Sequence, residues 1–226
     1  MKLSNDTLTI LKNFASINQG IVFKQGKTIK TISTNKNILA EANIAEEFET
    51  EFGVYDLNNF LTVLSLHKEE PTIEFGDKIA VISGLNGRSK LQYRFCEPSM
   101  VAAPPNKPIA MPDAEISFEL SDSDLDWVIR SSSVLGSPNI AVVSDGAKIS
   151  LLTFDATNDS ASTNTLDVTD GNGSRYKMIF KTEALKMIPG SYTVNISSKG
   201  VAHFRNKAKD LQYWITTEAG STFTGA

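Results

Sequence analysis

Histidine and cysteine, which recur in metal sites and covalent catalysis, are scarce in this chain of 226 residues. The histidines are His67 and His203, and the single cysteine is Cys96. Zinc sites need clusters of Cys and His, so no zinc site is expected. The sequence has no Gly-x-Ser-x-Gly elbow, phosphate-binding P-loop or Gly-x-Gly-x-x-Gly turn. DGNGS at 170–174 lacks the alternating acids of a calcium loop and indicates a hairpin turn. We therefore expect no metal, no cofactor and no enzyme activity.

The charged residues are segregated along the chain, although the net charge is only −4. Residues 2–30 and 175–209 are mainly basic, whereas 41–56 and 113–126 carry acids and no bases. Solvated faces and chance would explain this about as well as function. The functional interpretation is one basic and one acidic surface, and a basic surface attracts phosphates.

The broad class of the protein follows from its composition. A hydrophobic fraction of 41% and a charged fraction of 21% are typical of a globular protein. No apolar run approaches the roughly 20 residues of a membrane helix, and the N-terminus has no signal-peptide pattern. One cysteine suits a reducing compartment. We expect a cytoplasmic protein without a membrane partner.

Two similar halves are predicted to position the charged residues. Amphipathic spacing predicts helices over 4–18, 56–68, 121–135 and 181–187, with short strands and hairpin turns between them. Strand, helix and chain breaker recur about 120 residues apart, which indicates a duplicated domain. The stretch VAAPPNKPIAMP at 101–112 holds four of the eight prolines, which make it a stiff connector. We predict an α+β protein with domains at 1–97 and 114–226 and a connector at 98–113.

Several strings resemble the DNA polymerase sliding clamps of T-even-type phages. They are MKLSNDTLTILKNFASINQGI, VYDLNNFLTVLSL, APPNKPIAMP, DLDWVIRSSSVL, MIFKTEALKMIPGSY and LQYWITTEA. The similarity runs through nearly the whole chain in the right order. It implies a homotrimeric ring around duplex DNA in the host cell cytoplasm. Each protomer would have two similar domains, with helices lining the hole and antiparallel sheets outside. The implied partners are the replicative DNA polymerase, an ATP-driven clamp loader and late-transcription factors.

The predicted number of helices favours three chains. Twelve helices packed side by side at roughly 9 Å leave a hole of roughly 24 Å, just wider than a duplex. Eight helices from a dimer leave only about 13 Å.

Three sets of residues are predicted to form contacts. The cations on or beside the four helices are expected to face DNA: Lys2, Lys12, Lys68, Arg130, Lys181 and Lys186. The resemblance implies a partner-peptide pocket between the connector and the second domain: Val101, Ala102, Pro104, Ile109, Tyr213 and Ile215. Edge strands are expected to pair between subunits at Arg94, Phe95, Thr165 and Leu166. An ordinary solvated surface is the alternative for the cations, and a sealed domain junction is the alternative for the pocket.

Two other classes of protein remain open at this stage. Hairpin-rich halves and an acidic net charge also fit a phage structural β-protein, such as a tail or capsid accessory subunit. The clustered bases at 175–209 fit that class less well. An enzyme of unrecognised type is opposed only by the negative motif search.

Overall fold

The computed structural model describes residues 1–67, 71–107 and 109–225 and divides the chain into two compact units, Met1–Lys107 and Pro108–Ala226. The division falls inside the predicted connector. Unit 1 contains α1 (Asn5–Ile17), β1 (Ile21–Phe23), β2 (Gly26–Ile32), β3 (Ile38–Phe48), β4 (Phe52–Val54), α2 (Leu57–Ser65), β5 (Thr72–Phe75), β6 (Ile79–Gly84) and β7 (Ser89–Arg94). A short 3-10 helix, Pro98–Met100, follows β7.

The strands of unit 1 form antiparallel ladders. Strand β1 pairs with β4, β2 pairs with β3, and β5, β6 and β7 form a three-stranded sheet in that order. Phenylalanine side chains from β1, β3, β4 and β5 pack together at centroid distances of 4.7–5.6 Å. Phe95, directly after β7, stacks on Phe52 of this cluster at 4.3 Å.

Unit 2 is built mainly from two antiparallel sheets. Its elements are β8 (Ile116–Leu120), α3 (Asp122–Leu135), β9 (Asn139–Asp145), β10 (Lys148–Phe154), β11 (Asn164–Asp170), β12 (Arg175–Lys181), β13 (Tyr192–Ser197), β14 (Val201–Asn206), β15 (Leu211–Thr216) and β16 (Thr222–Gly225). One sheet has the order β11-β10-β9-β12-β16. In the other, β15, β14, β13 and β8 are successive neighbours. Helix α3 packs on β9, β10 and β11.

The three longer helices lie where the sequence predicted them, because their start signals are local. The side chains of Ser4, Asp56 and Ser121 accept hydrogen bonds from the first-turn amides of α1, α2 and α3. Gly136 ends α3 in the left-handed conformation, at φ 63°, which glycine adopts without strain.

The helix predicted over 181–187 is wrong: this segment forms only a 3-10 turn, Thr182–Ala184. Ile188 donates its N–H to the Tyr213 hydroxyl at 3.2 Å, and its carbonyl accepts from the Tyr192 hydroxyl. These bonds take backbone groups that a continuing helix would need for itself. In the described residues unit 2 therefore has one α-helix, and the estimate of ring size from four helices per chain loses its basis.

A carboxylate on β3 anchors the start of α1. Glu46 accepts hydrogen bonds from the Ser4 amide and the Thr7 hydroxyl, both at 2.5 Å. Burial raises the pKa of Glu46, but the bonds from Thr7 and Ser4 outweigh burial and hold it below the ordinary value. The charged carboxylate also interacts favourably with the positive end of the helix dipole.

We expect Glu46→Ala to lower the free energy of unfolding of unit 1 by about 2 kcal/mol at neutral pH, because it removes two hydrogen bonds to a charged group. Since the folded-state pKa is depressed, this contribution is present above the ordinary value of 4.5 and is lost as pH falls through the folded-state value. Urea unfolding at several pH values measures both effects. Glu47→Ala, at an exposed neighbour on β3, is the control. Equal losses from the two variants would contradict the anchoring role.

Candidate nucleic-acid interface and connector

Lys2 and Lys12 are held at the surface of unit 1 by the N-terminal segment. The Met1 ammonium and carbonyl both bond to Ile73 of β5, at 2.7 Å each, which fixes the residues ahead of α1. Helix α1 packs against α2, and Lys12 stands on the exposed side of α1. Lys12 also lines a groove of about 180 Å³ with Leu61, Ser65 and His67. Lys68 directly follows His67 in the sequence but lies outside the described residues.

Lys181 and Lys186 flank the 3-10 turn of unit 2. Both are exposed, whereas the nearby apolar side chains of Leu185 and Met187 are buried. The Thr182 hydroxyl donates to the carbonyl of Ser137 at 2.9 Å, which ties the turn to the end of α3. Burial raises the pKa of Tyr192 to about 12, so the hydroxyl that bonds Ile188 stays protonated at neutral pH. The turn therefore presents two ammonium groups from a fixed backbone.

Arg130, which the sequence predicted to face DNA, is paired with an acid on its own helix. Its guanidinium lies 2.5 Å from the carboxylate of Asp126, one helical turn earlier. This i,i+4 pair explains why an acid stands at 126, which capping does not. Asp122 and Asp126 are exposed on the same helix, so α3 presents mainly negative charge.

The first part of the connector is fastened to unit 1. The Asn18 side-chain amide donates to the Ala102 carbonyl at 3.0 Å, and the Lys24 ammonium bonds to the Asn106 side chain. Val101 packs beside Gly20, where an added Cβ would lie 3.0 Å from its Cγ1. Residues 103–106 and strands β1 and β2 border a groove of about 290 Å³.

The residues predicted for a peptide pocket differ in accessibility. Ala102 is exposed, and Val101, Pro104 and Ile109 are partly exposed. Tyr213 and Ile215 have no exposed surface, so neither can touch a bound peptide in this conformation. The resemblance implied that Tyr213 and Ile215 belong to the pocket, whereas four of the six residues of β15 are buried.

The strands predicted to join subunits lie at sheet edges. Within the described residues, β7 pairs only with β6 and β11 only with β10. Leu166 is partly exposed on β11, and Thr165 and Arg94 are exposed. Phe95 is only partly exposed, because it stacks on Phe52.

Two kinds of feature are absent from residues 1–67, 71–107 and 109–225. No group of three or more His, Cys, Asp or Glu side chains in this part of the chain could hold a metal ion. None of the helices described is long and apolar enough to span a bilayer.

Comparison with known proteins identifies the family. Residues 4–102 match the family model for DNA polymerase processivity factors, and residues 117–219 match that for the C-terminal part of the gp45 sliding clamp. The chain belongs to the phage sliding-clamp family. It is 36% identical to the sliding clamp of Escherichia phage RB69, over 98% of this chain and 99% of the relative. Identity to the sliding clamp of Enterobacteria phage T4 is also 36%, over 98% and 99%.

Solved structures of distant clamps share the fold. A. fulgidus PCNA bound to the C-terminal region of FEN-1 superposes with a TM-score of 0.69 at 12% identity, covering 95% of this chain and 96% of that one. The Helicobacter pylori beta clamp bound to a DNA ligase peptide gives 0.69 at 13% identity, covering 96% of this chain and 65% of that one. The α+β clamp fold and the function of a DNA polymerase processivity factor are thus confirmed. A tail or capsid accessory subunit is not supported.

Proposed function

We propose that three copies of this chain form a closed ring around duplex DNA and tether the replicative DNA polymerase for processive synthesis. The observation that carries this proposal is the match to phage sliding clamps through both units and nearly the full length. Enclosure makes the complex persistent, so individual contacts with DNA can stay weak. Weak contacts to phosphates carry no sequence information and therefore permit sliding.

The cations proposed to face DNA are Lys2 and Lys12 in unit 1 and Lys181 and Lys186 in unit 2. Their exposure and their fixed backbones support this role. Arg130 contributes less because Asp126 neutralises it. Each lysine would approach phosphate oxygens as a mobile point charge, which suits a surface that must release DNA at every step.

Subunits are proposed to meet through the open edges of β7 and β11, at Arg94, Phe95, Thr165 and Leu166. Paired edges satisfy backbone groups that would otherwise invite unspecific association. Both strands are largely polar, which favours an interface that can open. The chain has no nucleotide-binding motif, so we propose that a separate ATP-driven loader opens the ring in the host cytoplasm. The chain itself performs no catalysis in this scheme.

The connector is proposed to receive short peptides of the polymerase and of late-transcription factors. Complexes of distant clamps with a FEN-1 region and a DNA ligase peptide support a general ability of this fold to bind such segments. Val101, Ala102, Pro104 and Ile109 are the proposed contacts. Tyr213 and Ile215 are buried, so they would affect peptide binding only by stabilising the residues that pack on them.

We expect Val101→Glu to weaken binding of a peptide from the C-terminal tail of the phage polymerase at least about tenfold, because a charge replaces an apolar contact at the connector. Fluorescence anisotropy of the labelled peptide measures the affinity. Lys36→Glu, at an exposed turn between β2 and β3, is the control for added negative charge. Unchanged binding by Val101→Glu would remove the connector from the peptide site.

Retention on circular DNA tests the ring. The protein is loaded on a nicked circle with its loader and ATP and then separated from free protein by gel filtration. We expect the protein to stay on circular DNA and to be lost after a restriction enzyme cuts the circles. A closed ring can slide off the free ends of linear DNA. Equal retention on circular and linear DNA would contradict enclosure.

A further inference from the structure

A cyclic network of hydrogen bonds, the tyrosine network, holds the end of residues 182–188, the turn segment of unit 2. Ile188 donates its N–H to the Tyr213 hydroxyl at 3.2 Å, and the Tyr192 hydroxyl donates to the Ile188 carbonyl. The two hydroxyls are also hydrogen-bonded to each other. Because the single O–H of Tyr192 already points to Ile188, Tyr213 must be the donor between them. The bonds therefore run from Ile188 through Tyr213 and Tyr192 back to Ile188.

The tyrosine network is sealed from water. Tyr192 and Tyr213 are both 0% exposed, and Ile188 is also buried. Burial raises the pKa of both hydroxyls, to about 12 for Tyr192, so both keep their protons at neutral pH. Without these hydroxyls, both polar backbone groups of Ile188 would be left unpaired in the interior, which is unfavourable. The network therefore fixes the backbone of this residue through its N–H and its carbonyl together.

Further contacts fix the chain at both ends of the turn segment. The Asn206 side chain also bonds the Tyr192 hydroxyl. Gly190 passes so close to Asn206 that an added Cβ would lie 2.8 Å from its amide nitrogen. At the other end, the Thr182 hydroxyl donates to the Ser137 carbonyl at 2.9 Å. The turn segment is thus tied to its surroundings where it begins and where it ends.

Lys186 is the cation that the turn segment presents at the surface. Its neighbours Leu185 and Met187 are buried, whereas Lys186 is exposed. A longer α-helix would fix such a lysine through its own backbone hydrogen bonds, and here the tyrosine network does so in its place. A side chain on a fixed backbone loses less conformational entropy on binding than one on a mobile loop.

We propose that Tyr192 and Tyr213 are positioning residues for DNA binding, because their hydroxyls hold the turn segment so that Lys186 and the preceding Lys181 meet phosphates. This inference rests on the proposed DNA-facing role of the two lysines. It adds a function for two buried side chains that have no exposed surface with which to touch DNA. They act by pre-organising the backbone on which the cations stand.

Removal of one hydroxyl tests the proposal. We expect Tyr213→Phe to shorten residence on nicked circular DNA about threefold at roughly 0.15 M salt, because the Ile188 amide loses its acceptor and the turn segment rearranges. The dependence of the off-rate on salt should also fall, since fewer phosphates are contacted. Tyr176→Phe deletes a buried tyrosine hydroxyl near the start of β12, the strand that Lys181 ends, and should leave both quantities unchanged.

A background without the two lysines separates positioning from a purely structural role. In a chain carrying Lys181→Gln with Lys186→Gln, Tyr213→Phe should have no further effect on residence, because the groups through which it acts are gone. The same threefold loss in that background would overturn the proposal, since the hydroxyl would then act elsewhere.

Two other outcomes separate this inference from the proposed function. A loss of residence with the two glutamines but none with Tyr213→Phe would overturn the positioning role and leave the DNA-facing role of the lysines standing. Residence equal to that of the wild type with the two glutamines would overturn the DNA-facing role itself. Light scattering verifies that each variant keeps the mass of the wild-type assembly.

Amide hydrogen exchange measures the turn segment directly. We expect the Ile188 amide to exchange at least about tenfold faster in Tyr213→Phe, while the amides of β9 keep their wild-type rates. Tyr192→Phe removes another bond of the tyrosine network and should shorten residence on DNA in the same way, so the test does not depend on the folding of one variant. Unchanged exchange at Ile188 in Tyr213→Phe would show that the network does not hold the turn segment and would overturn the proposal.

Discussion

Replacing Lys12 and Lys181 by glutamate is expected to shorten residence on DNA about tenfold or more at roughly 0.15 M salt, while the trimer stays intact. One lysine lies on α1 and the other at the end of β12, and both are exposed. In a ring of three chains, this double variant removes six cations. Each lost phosphate contact also lowers the slope of log affinity against log salt by about 0.9. Processive synthesis should fall in parallel, because the polymerase dissociates from DNA together with the clamp that holds it there.

Off-rates from nicked circular DNA at several salt concentrations measure this effect. Lys27→Glu with Lys36→Glu makes the same change in net charge at exposed positions that have no proposed role in DNA binding. The control should retain the salt slope of the wild type. The contrary result is that the variant at Lys12 and Lys181 keeps the salt slope and residence time of the wild type. That result would remove these lysines from the DNA-facing surface.

Phe52→Ala is expected to lower the free energy of unfolding of unit 1 by about 3–5 kcal/mol, the usual cost of deleting a buried aromatic ring. Phe52 is 3% exposed and lies within 4.3–5.6 Å of the rings of Phe23, Phe48, Phe75 and Phe95. Because Phe95 directly follows β7, loss of its stacking partner should also loosen the proposed subunit edge.

Denaturant unfolding at low protein concentration isolates the effect on stability from the effect on assembly. Tyr55→Ala removes an aromatic ring three residues away that is 57% exposed, so we expect it to change stability by less than about 0.5 kcal/mol. Phe52→Leu should fall between the two variants. If Phe52→Ala were as stable as Tyr55→Ala, the cluster would not be the core of unit 1.

Local signals were enough to predict most of the elements. A serine just ahead of an amphipathic run is a local helix-start signal, and the hydroxyls of Ser4 and Ser121 accept first-turn amides of α1 and α3. The turn at Gly146 also joins β9 and β10 as Asp-Gly predicts. These features depend on a few neighbouring residues, so a single sequence contains them.

Features that depend on distant residues were not predictable. The segment 181–187 has helical spacing, but hydroxyls from Tyr192 and Tyr213 hold the backbone of Ile188 in another conformation. The burial of Ile215 likewise depends on tertiary packing that a strand pattern does not contain. The pairing of Asp126 with Arg130 was accessible from i,i+4 spacing, and the exposure of Trp127 beside an edge strand was not.

The mass of the assembly tests the closed ring most directly. One chain is 24.6 kDa, so three chains give about 74 kDa by light scattering coupled to size exclusion. We predict this mass at high concentration and its loss on dilution, because a largely polar interface must open for loading. A single species at the mass of one chain across the whole dilution series would contradict enclosure of DNA by this protein.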